Sequence, residues 1–76
     1  MNILIAEDEK RVRNNIADFI ASLDQNYQIK GRASNGIEAL QCLERHQIDL
    51  LLVDIQMPKM DGLSLIKRAH KKWPYT

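Results

Sequence analysis

Short apolar runs alternate with amphipathic stretches along the whole chain. Residues 3–6, Ile-Leu-Ile-Ala, are uninterrupted and rich in β-branched isoleucine, which is typical of a strand buried on both faces. From Lys10 onward the apolar positions recur with the helical period and form one stripe, at Val12, Ile16, Phe19, Ile20 and Leu23. Asp8 stands just before this stripe and is a candidate N-cap. The pattern therefore predicts a strand followed by a helix.

A second strand and helix follow. Residues 27–33 alternate apolar and polar positions, the period of a half-buried or edge strand. Ser34-Asn35-Gly36 has the composition of a turn. The apolar spacing after it predicts a helix from Ile37 that ends near His46.

The third repeat of this alternation carries another uninterrupted apolar run. Residues 48–55 predict a strand, and Leu50–Val53 is apolar on both faces, which favours the middle of a sheet covered by helices. Residues 57–62 contain Pro58 and Gly62 and predict a loop. A third helix begins with Leu63, Ile66 and Ala69 on its apolar face, and Pro74 ends it.

Strands that alternate with helices predict an α/β fold with a parallel sheet and right-handed crossovers. Ligands of such sheets bind outside the carboxyl ends of the strands. Glu7 and Asp8 follow the first strand, and Asp54 closes the third. If these strands are neighbours, the three carboxylates meet, and a hard divalent cation such as Mg²⁺ offsets their repulsion. From the acids alone an alternative stays open, in which Asp8 caps its helix while Glu7 and Asp54 are solvated.

Composition narrows the class of protein. At 76 residues, 45% apolar and 28% charged, the chain has room for one small domain. The single cysteine, Cys42, excludes an internal disulfide and fits a reducing compartment. The apolar runs are too short for a membrane span, and the first residues do not resemble a signal peptide, so a cytoplasmic location without membrane contact is expected.

Charge excludes a strongly basic nucleic-acid surface, since the net charge is +1. The last fourteen or so residues nevertheless carry only basic charges, at Lys67, Arg68, Lys71 and Lys72. A phosphate-binding patch is one interpretation, but a solvated helix end is favoured because its dipole attracts cations. His46 and His70 have no partner at metal-ligand spacing and are interpreted as surface residues.

The loop after Asp54 makes the acids more informative. Asp-Ile-Gln-Met-Pro-Lys-Met-Asp-Gly, residues 54–62, combined with Ile-Leu-Ile-Ala-Glu-Asp-Glu, residues 3–9, closely resembles the receiver domain of bacterial two-component response regulators. The resemblance covers the whole chain. It implies a flavodoxin-like parallel sheet with helices on both faces, truncated to three strand-helix units in the order 2-1-3.

The resemblance also implies roles for individual residues. Asp54 matches the phospho-acceptor, and Glu7 and Asp8 match the acidic pair that holds Mg²⁺. Asp54 is also implied as a ligand of the metal, and Gln56 occupies the position whose backbone carbonyl completes the metal shell. The first acid is Glu7 where the family more often has Asp, and its side chain is longer.

Residues 1–76 are expected to be the N-terminal part of a receiver domain, because members of the family continue for two more strand-helix units. Those units supply a Ser or Thr and a Lys that touch the phosphoryl group. In the family the third strand pairs with the fourth, so its edge is expected to be bare here, beside an apolar patch around Val12, Ile16 and Phe19. A homo-oligomer formed through the third strand is therefore predicted.

The expected function is phosphorelay signalling, in which a sensor histidine kinase donates a phosphoryl group to Asp54 and the domain is not itself a turnover enzyme. A transcriptional regulator is the expected parent, although this segment is not expected to bind nucleic acid directly. Two alternatives stay open. One is a receiver-like interaction module that is never phosphorylated. The other is a Mg²⁺-dependent phosphohydrolase, which the Gln at position 56 disfavours because such enzymes carry a second Asp there.

Overall fold

The computed structural model describes residues 1–57 and 59–76, and over these residues three strands alternate with three helices. The elements are β1 (Asn2–Ala6), α1 (Lys10–Leu23), β2 (Gln28–Ala33), α2 (Gly36–Arg45), β3 (Leu50–Val53) and α3 (Gly62–Lys72). The predicted order of elements is confirmed. Pro58, inside the predicted loop, lies outside the described residues.

The strands form one parallel sheet in the order β2-β1-β3. The central strand is β1, and residues 3–6 of it are at most 2% exposed. Its apolar run fits this place because helices cover both faces of the sheet. The α/β fold with strand order 2-1-3 is thus as predicted.

Alternate residues of β1 pack into two layers. Ile3 and Ile5 contact one layer, where Ala17 and Ile20 of α1 are buried. Leu4 and Ala6 contact the other layer, which α2 and α3 supply with the buried side chains of Ala39, Leu43, Leu65 and Ala69. The sheet therefore has one helix on one face and two on the other, over the part of the chain described.

The third strand is shorter than the pattern predicts. Among the described residues it pairs with β1 alone, from Ile3 opposite Leu50 to Ala6 opposite Val53. It lies at the edge of the described sheet, as the order 2-1-3 requires, and its two faces meet the two core layers, since Leu51 and Val53 pack against one and Leu52 against the other. Leu50 is 39% exposed.

Two local predictions about the helices are also wrong. Glu9, rather than Asp8, holds the N-cap position of α1, and neither residue caps the helix through its side chain in the described structure. In α3 the core side chain is Leu65, whereas Leu63 and Ile66 are 56% and 45% exposed. Ala69 is buried as predicted, and Leu65, four residues before it, lies on the same face of the helix.

Other predictions on the surface are confirmed. The helix α3 ends at Lys72, before Pro74, and its basic residues are exposed. His46 and His70 are exposed as well. Trp73 packs against the core on the α2 and α3 side. Within the described residues no helix is both long and apolar enough to cross a membrane.

Candidate functional site

The carboxyl ends of β1 and β3 lie side by side and carry the acidic residues. The main-chain N–H of Asp54 donates to the carbonyl of Ala6 at 2.9 Å, and the N–H of Glu7 donates to the carbonyl of Ala33 at 3.0 Å. Both acids are therefore tied to a neighbouring strand by their own backbone. The parallel register of β1 and β3 is the reason that residues far apart in sequence become neighbours.

Glu7, Asp8 and Asp54 converge at this edge. One carboxylate oxygen from each lies within 4.8 Å of the others. Glu7 is only 9% exposed, Asp54 is half-buried and Asp8 is exposed. Of the two arrangements left open by the acids alone, the structure shows the convergent one.

The cluster carries uncompensated negative charge. Burial, a hydrogen bond shared with the Asp54 side chain and the charges of Asp54 and Asp8 raise the pKa of Glu7 from its ordinary value to about 7, against a lowering contribution from the Glu9 main-chain N–H. A cation bound beside this carboxyl group would stabilise its ionised form. Asp8, the exposed member of the cluster, faces solvent at the strand ends.

The donor set fits Mg²⁺. Mg²⁺ prefers oxygen ligands and commonly takes one or two carboxylates and several waters, which exposed Asp8 and half-buried Asp54 leave room for. The third acid, Glu7, lies behind them with little access to water. The arrangement can hold a hard cation beside the carboxylate of Asp54.

The loop after Asp54 is folded back on the strand end. The N–H of Gln56 donates to Oδ1 of Asp54 at 3.1 Å, and the N–H of Gly62 donates to the carbonyl of Ile55 at 2.8 Å. A Cβ at Gly62 would stand 2.6 Å from the Asp54 carbonyl, so only glycine allows this approach. Asp61 then starts α3, since its Oδ1 accepts from the N–H of Ser64 at 2.8 Å.

Two residues that support the site escape a reading of the sequence. Arg13 of α1 donates from Nη1 to the carbonyl of Glu7 at 2.8 Å. Asn35, read as part of a turn, caps α2 by accepting from the N–H of Glu38 at 2.9 Å. The Asn35-x-x-Glu38 spacing resembles a capping box and could have indicated the cap of α2. The contact of Arg13 depends on the path of a turn, for which the sequence has no recognisable pattern.

The fold and the site together define a class: parallel α/β domains with an acidic cluster at the carboxyl ends of adjacent strands. Within it, the family model described as the response regulator receiver domain matches residues 3–76. The chain belongs to this family.

Relatives carry the domain in different proteins. Over 76 residues the chain is 41% identical to the uncharacterized transcriptional regulatory protein YhcZ of Bacillus subtilis. The match covers 100% of this chain and 35% of that protein. It is 36% identical to protein-glutamate methylesterase/protein-glutamine glutaminase 3 of Hahella chejuensis, and this match covers 97% of this chain and 21% of that protein. The chain thus spans about a third or less of these curated relatives.

A solved structure shows the same fold with a metal bound. The response regulator TrrA of Thermotoga maritima, in complex with Mg²⁺-BeF, is 32% identical and superposes with a TM-score of 0.87. The match covers 96% of this chain and 61% of that one.

Proposed function

We propose that this receiver domain accepts a phosphoryl group on Asp54 in a phosphorelay. The observation that carries the proposal is the convergence of Glu7, Asp8 and Asp54 within 4.8 Å in a member of the receiver family. An Oδ atom of Asp54 attacks phosphorus, the bond from phosphorus to the donor nitrogen breaks, and its electron pair stays on the donor imidazole. The product is an acyl phosphate on Asp54, and the domain does not turn over a substrate.

Mg²⁺ is the proposed cofactor, held by the carboxylates of Glu7, Asp8 and Asp54 and by the main-chain carbonyl of Gln56. When bound, it supplies charge that offsets the repulsion between the carboxylates and the incoming phosphoryl oxygens. The chain's own part is to orient Asp54. The Gln56 N–H holds one of its carboxylate oxygens, and the bond to the Ala6 carbonyl holds its backbone.

A sensor histidine kinase is the proposed donor, and transcriptional control is the proposed output of the parent protein. The output is supported by the name of the YhcZ relative, whereas the methylesterase relative shows that receivers also accompany enzymes. The acyl phosphate carries a charge of about −2 near pH 7, about one negative charge more than the carboxylate it replaces, and this change at the strand ends favours a different partner surface. The cytoplasmic location expected from the sequence stays a prediction.

The test is incubation with acetyl phosphate and Mg²⁺, followed by intact mass measurement. We expect one phosphate adduct on the wild-type chain and none on Asp54→Asn, because the amide is nearly isosteric but is no nucleophile. Asp18→Asn, the same change at an exposed position of α1, is the matched control and should retain the adduct.

Each other outcome of this experiment would point to a different acceptor residue or a different function. An adduct of equal yield on Asp54→Asn would contradict the assignment of the acceptor. Continuous release of inorganic phosphate would favour a phosphohydrolase, and the absence of any adduct on the wild-type chain would favour an interaction module that is never phosphorylated.

We also propose that the 76-residue chain self-associates through β3. Over the described residues β3 has a partner on one side only, and its run of four apolar residues carries no charge. The opposite edge of the sheet is different, since β2 presents the exposed charges of Lys30 and Arg32 and an irregular register opposite Ile3 and Leu4. Charges and bulges protect an edge from pairing, so β3 is the edge open to it.

A further inference from the structure

The peptide of Glu7 is held on two sides. Its N–H donates to the Ala33 carbonyl at 3.0 Å, and its own carbonyl accepts from Nη1 of Arg13 at 2.8 Å. Of these two contacts, the one from Arg13 is made by a side chain and reaches Glu7 from the helix.

Arg13 lies in the first turn of α1 and is half-buried. Its own N–H donates to the Glu9 carbonyl at 2.8 Å, so its backbone is fixed in the helix while its guanidinium reaches back to the end of β1. The chain between these two anchors, Asp8 and Glu9, leaves the sheet and enters the helix. One side chain therefore spans the turn that carries both N-terminal acids.

This turn has little other support from side chains. Glu9 is the N-cap of α1 and makes no capping bond with its side chain in the described structure. A hydrogen bond from a charged donor is roughly twice as strong as a neutral one. Loss of the Arg13 bond would leave the half-buried Glu7 carbonyl without this donor and release the turn.

We propose that Arg13 is a positioning residue for the acidic site: its bond to the Glu7 carbonyl sets the direction in which the Glu7 and Asp8 carboxylates point. This inference rests on the proposed Mg²⁺ site. Arg13 touches neither the metal nor the phosphoryl group, and acts through the backbone between the two acids.

The sign of the effect separates positioning from simple electrostatics. Arg13 is positively charged, so its removal would strengthen Mg²⁺ binding if charge alone mattered. Removal weakens binding if the bond to Glu7 holds the ligands in place. Partners that orient metal ligands typically change metal affinity when they are mutated, although they do not touch the ion.

The experiment is isothermal titration of the metal-free chain with MgCl₂ at constant ionic strength and pH. Arg13→Met keeps the apolar stem and removes the donor, and we expect its Kd to rise about three- to tenfold, below the range for direct partners of a ligand side chain. Arg13→Lys keeps a donor and should stay within about twofold of the wild type. Arg11→Met removes the same charge from an exposed site in the same helical turn and should bind equally well or slightly more tightly.

Circular dichroism without Mg²⁺ first establishes that each variant is folded at the titration temperature. Should Arg13→Met be unfolded, Arg13→Gln is compared with Arg13→Lys, and weaker binding by the shorter, uncharged Gln is expected. If the Kd of Arg13→Met is equal to or below that of the wild type, the role of Arg13 is overturned and the metal site stands. If Arg13→Gln is used instead, the same holds when its Kd is equal to or below that of Arg13→Lys. A wild-type chain that binds no Mg²⁺ overturns the proposed metal site, and the role of Arg13 with it.

Discussion

Glu7 and Asp8 are neighbours in the chain, yet the structure gives them different surroundings. Glu7 ends the buried central strand and is 9% exposed, whereas Asp8 is exposed in the turn that follows. Burial is the largest cause of the raised pKa of Glu7, so this group holds its proton to about pH 7 in the absence of a cation. Asp8 is accordingly the more accessible of the two proposed ligands.

This difference leads to a prediction for Asp8→Ala. A ligand that binds only the folded state stabilises it by RT ln(1 + [L]/Kd), about 2.7 kcal/mol when free Mg²⁺ is a hundred times Kd. We expect the wild-type chain to show such a rise in thermal unfolding experiments and Asp8→Ala to lose most of it. Without Mg²⁺ the variant should be no less stable than the wild type, because Asp8 repels Glu7.

Asp18→Ala provides the control, since it removes a carboxylate from an exposed position of α1. Its response to Mg²⁺ should match that of the wild type. An undiminished response of Asp8→Ala would mean that Asp8 is not a ligand.

At the scale of elements, the start of α2 is built more completely than the start of α1. Asn35 caps α2, and Oε1 of Glu38 accepts from both the N–H and the hydroxyl of Ser34 at 2.7 Å. Gly36 lies against Met60 of the loop that follows Asp54, at a distance that a Cβ could not share. The helix start is therefore packed against the loop that follows Asp54, and its stability bears on the shape of the site.

The Ser34–Glu38 contact predicts a pH dependence. The Ser34 hydroxyl and then the Ser34 N–H favour the ionised carboxylate, which lowers the pKa of Glu38 below its ordinary value of 4.5. Because the folded-state pKa is lowered, the stabilisation is present above 4.5 and is lost as the pH falls through the folded-state pKa. Glu38→Gln should thus be less stable than the wild type near pH 7, and the difference should shrink on acidification.

Urea unfolding of both proteins between pH 3 and pH 7 measures this difference. Asn35→Ala is the comparison, because loss of an uncharged cap should cost about 1 kcal/mol at every pH in the range. A difference between Glu38→Gln and the wild type that stayed constant with pH would show that the carboxylate is not favoured in the folded state.

Across the whole molecule, the two faces and the two edges of the sheet are unequally covered. One face of the sheet packs against α2 and α3, and the other packs against α1 alone among the described elements. Val12 and Phe19 of α1 are 37% and 64% exposed, which agrees with the apolar patch expected there. This patch lies on the same side as the half-buried Leu52 of β3, so the bare edge and the open face adjoin.

Self-association through β3 predicts the behaviour of Leu50→Lys. A lysine at this 39% exposed position copies the protection that Lys30 gives to β2. In sedimentation velocity at micromolar concentration, we expect the wild-type chain to form dimers or larger species and Leu50→Lys to shift toward monomer. Gln28→Lys adds the same charge to the other edge and should leave association unchanged. A wild-type chain that unfolds cooperatively as a monomer would contradict the proposal.

Hydrophobic periodicity by itself determined the order of the elements and the α/β class, because burial of a strand or a helix face requires that pattern. The motifs around Glu7, Asp8 and Asp54 likewise identified the family before any geometry was known. Tertiary structure alone decided the rest. It moved the N-cap of α1 from Asp8 to Glu9, turned Leu65 rather than Leu63 toward the core, and ended β3 where β1 ends. The distance between the acids depends on the register of the strands, and the raised pKa of Glu7 depends on its burial. The contact from Arg13 depends on the path of the turn before α1. Register, burial and the path of a turn are set by contacts between residues that are distant in sequence.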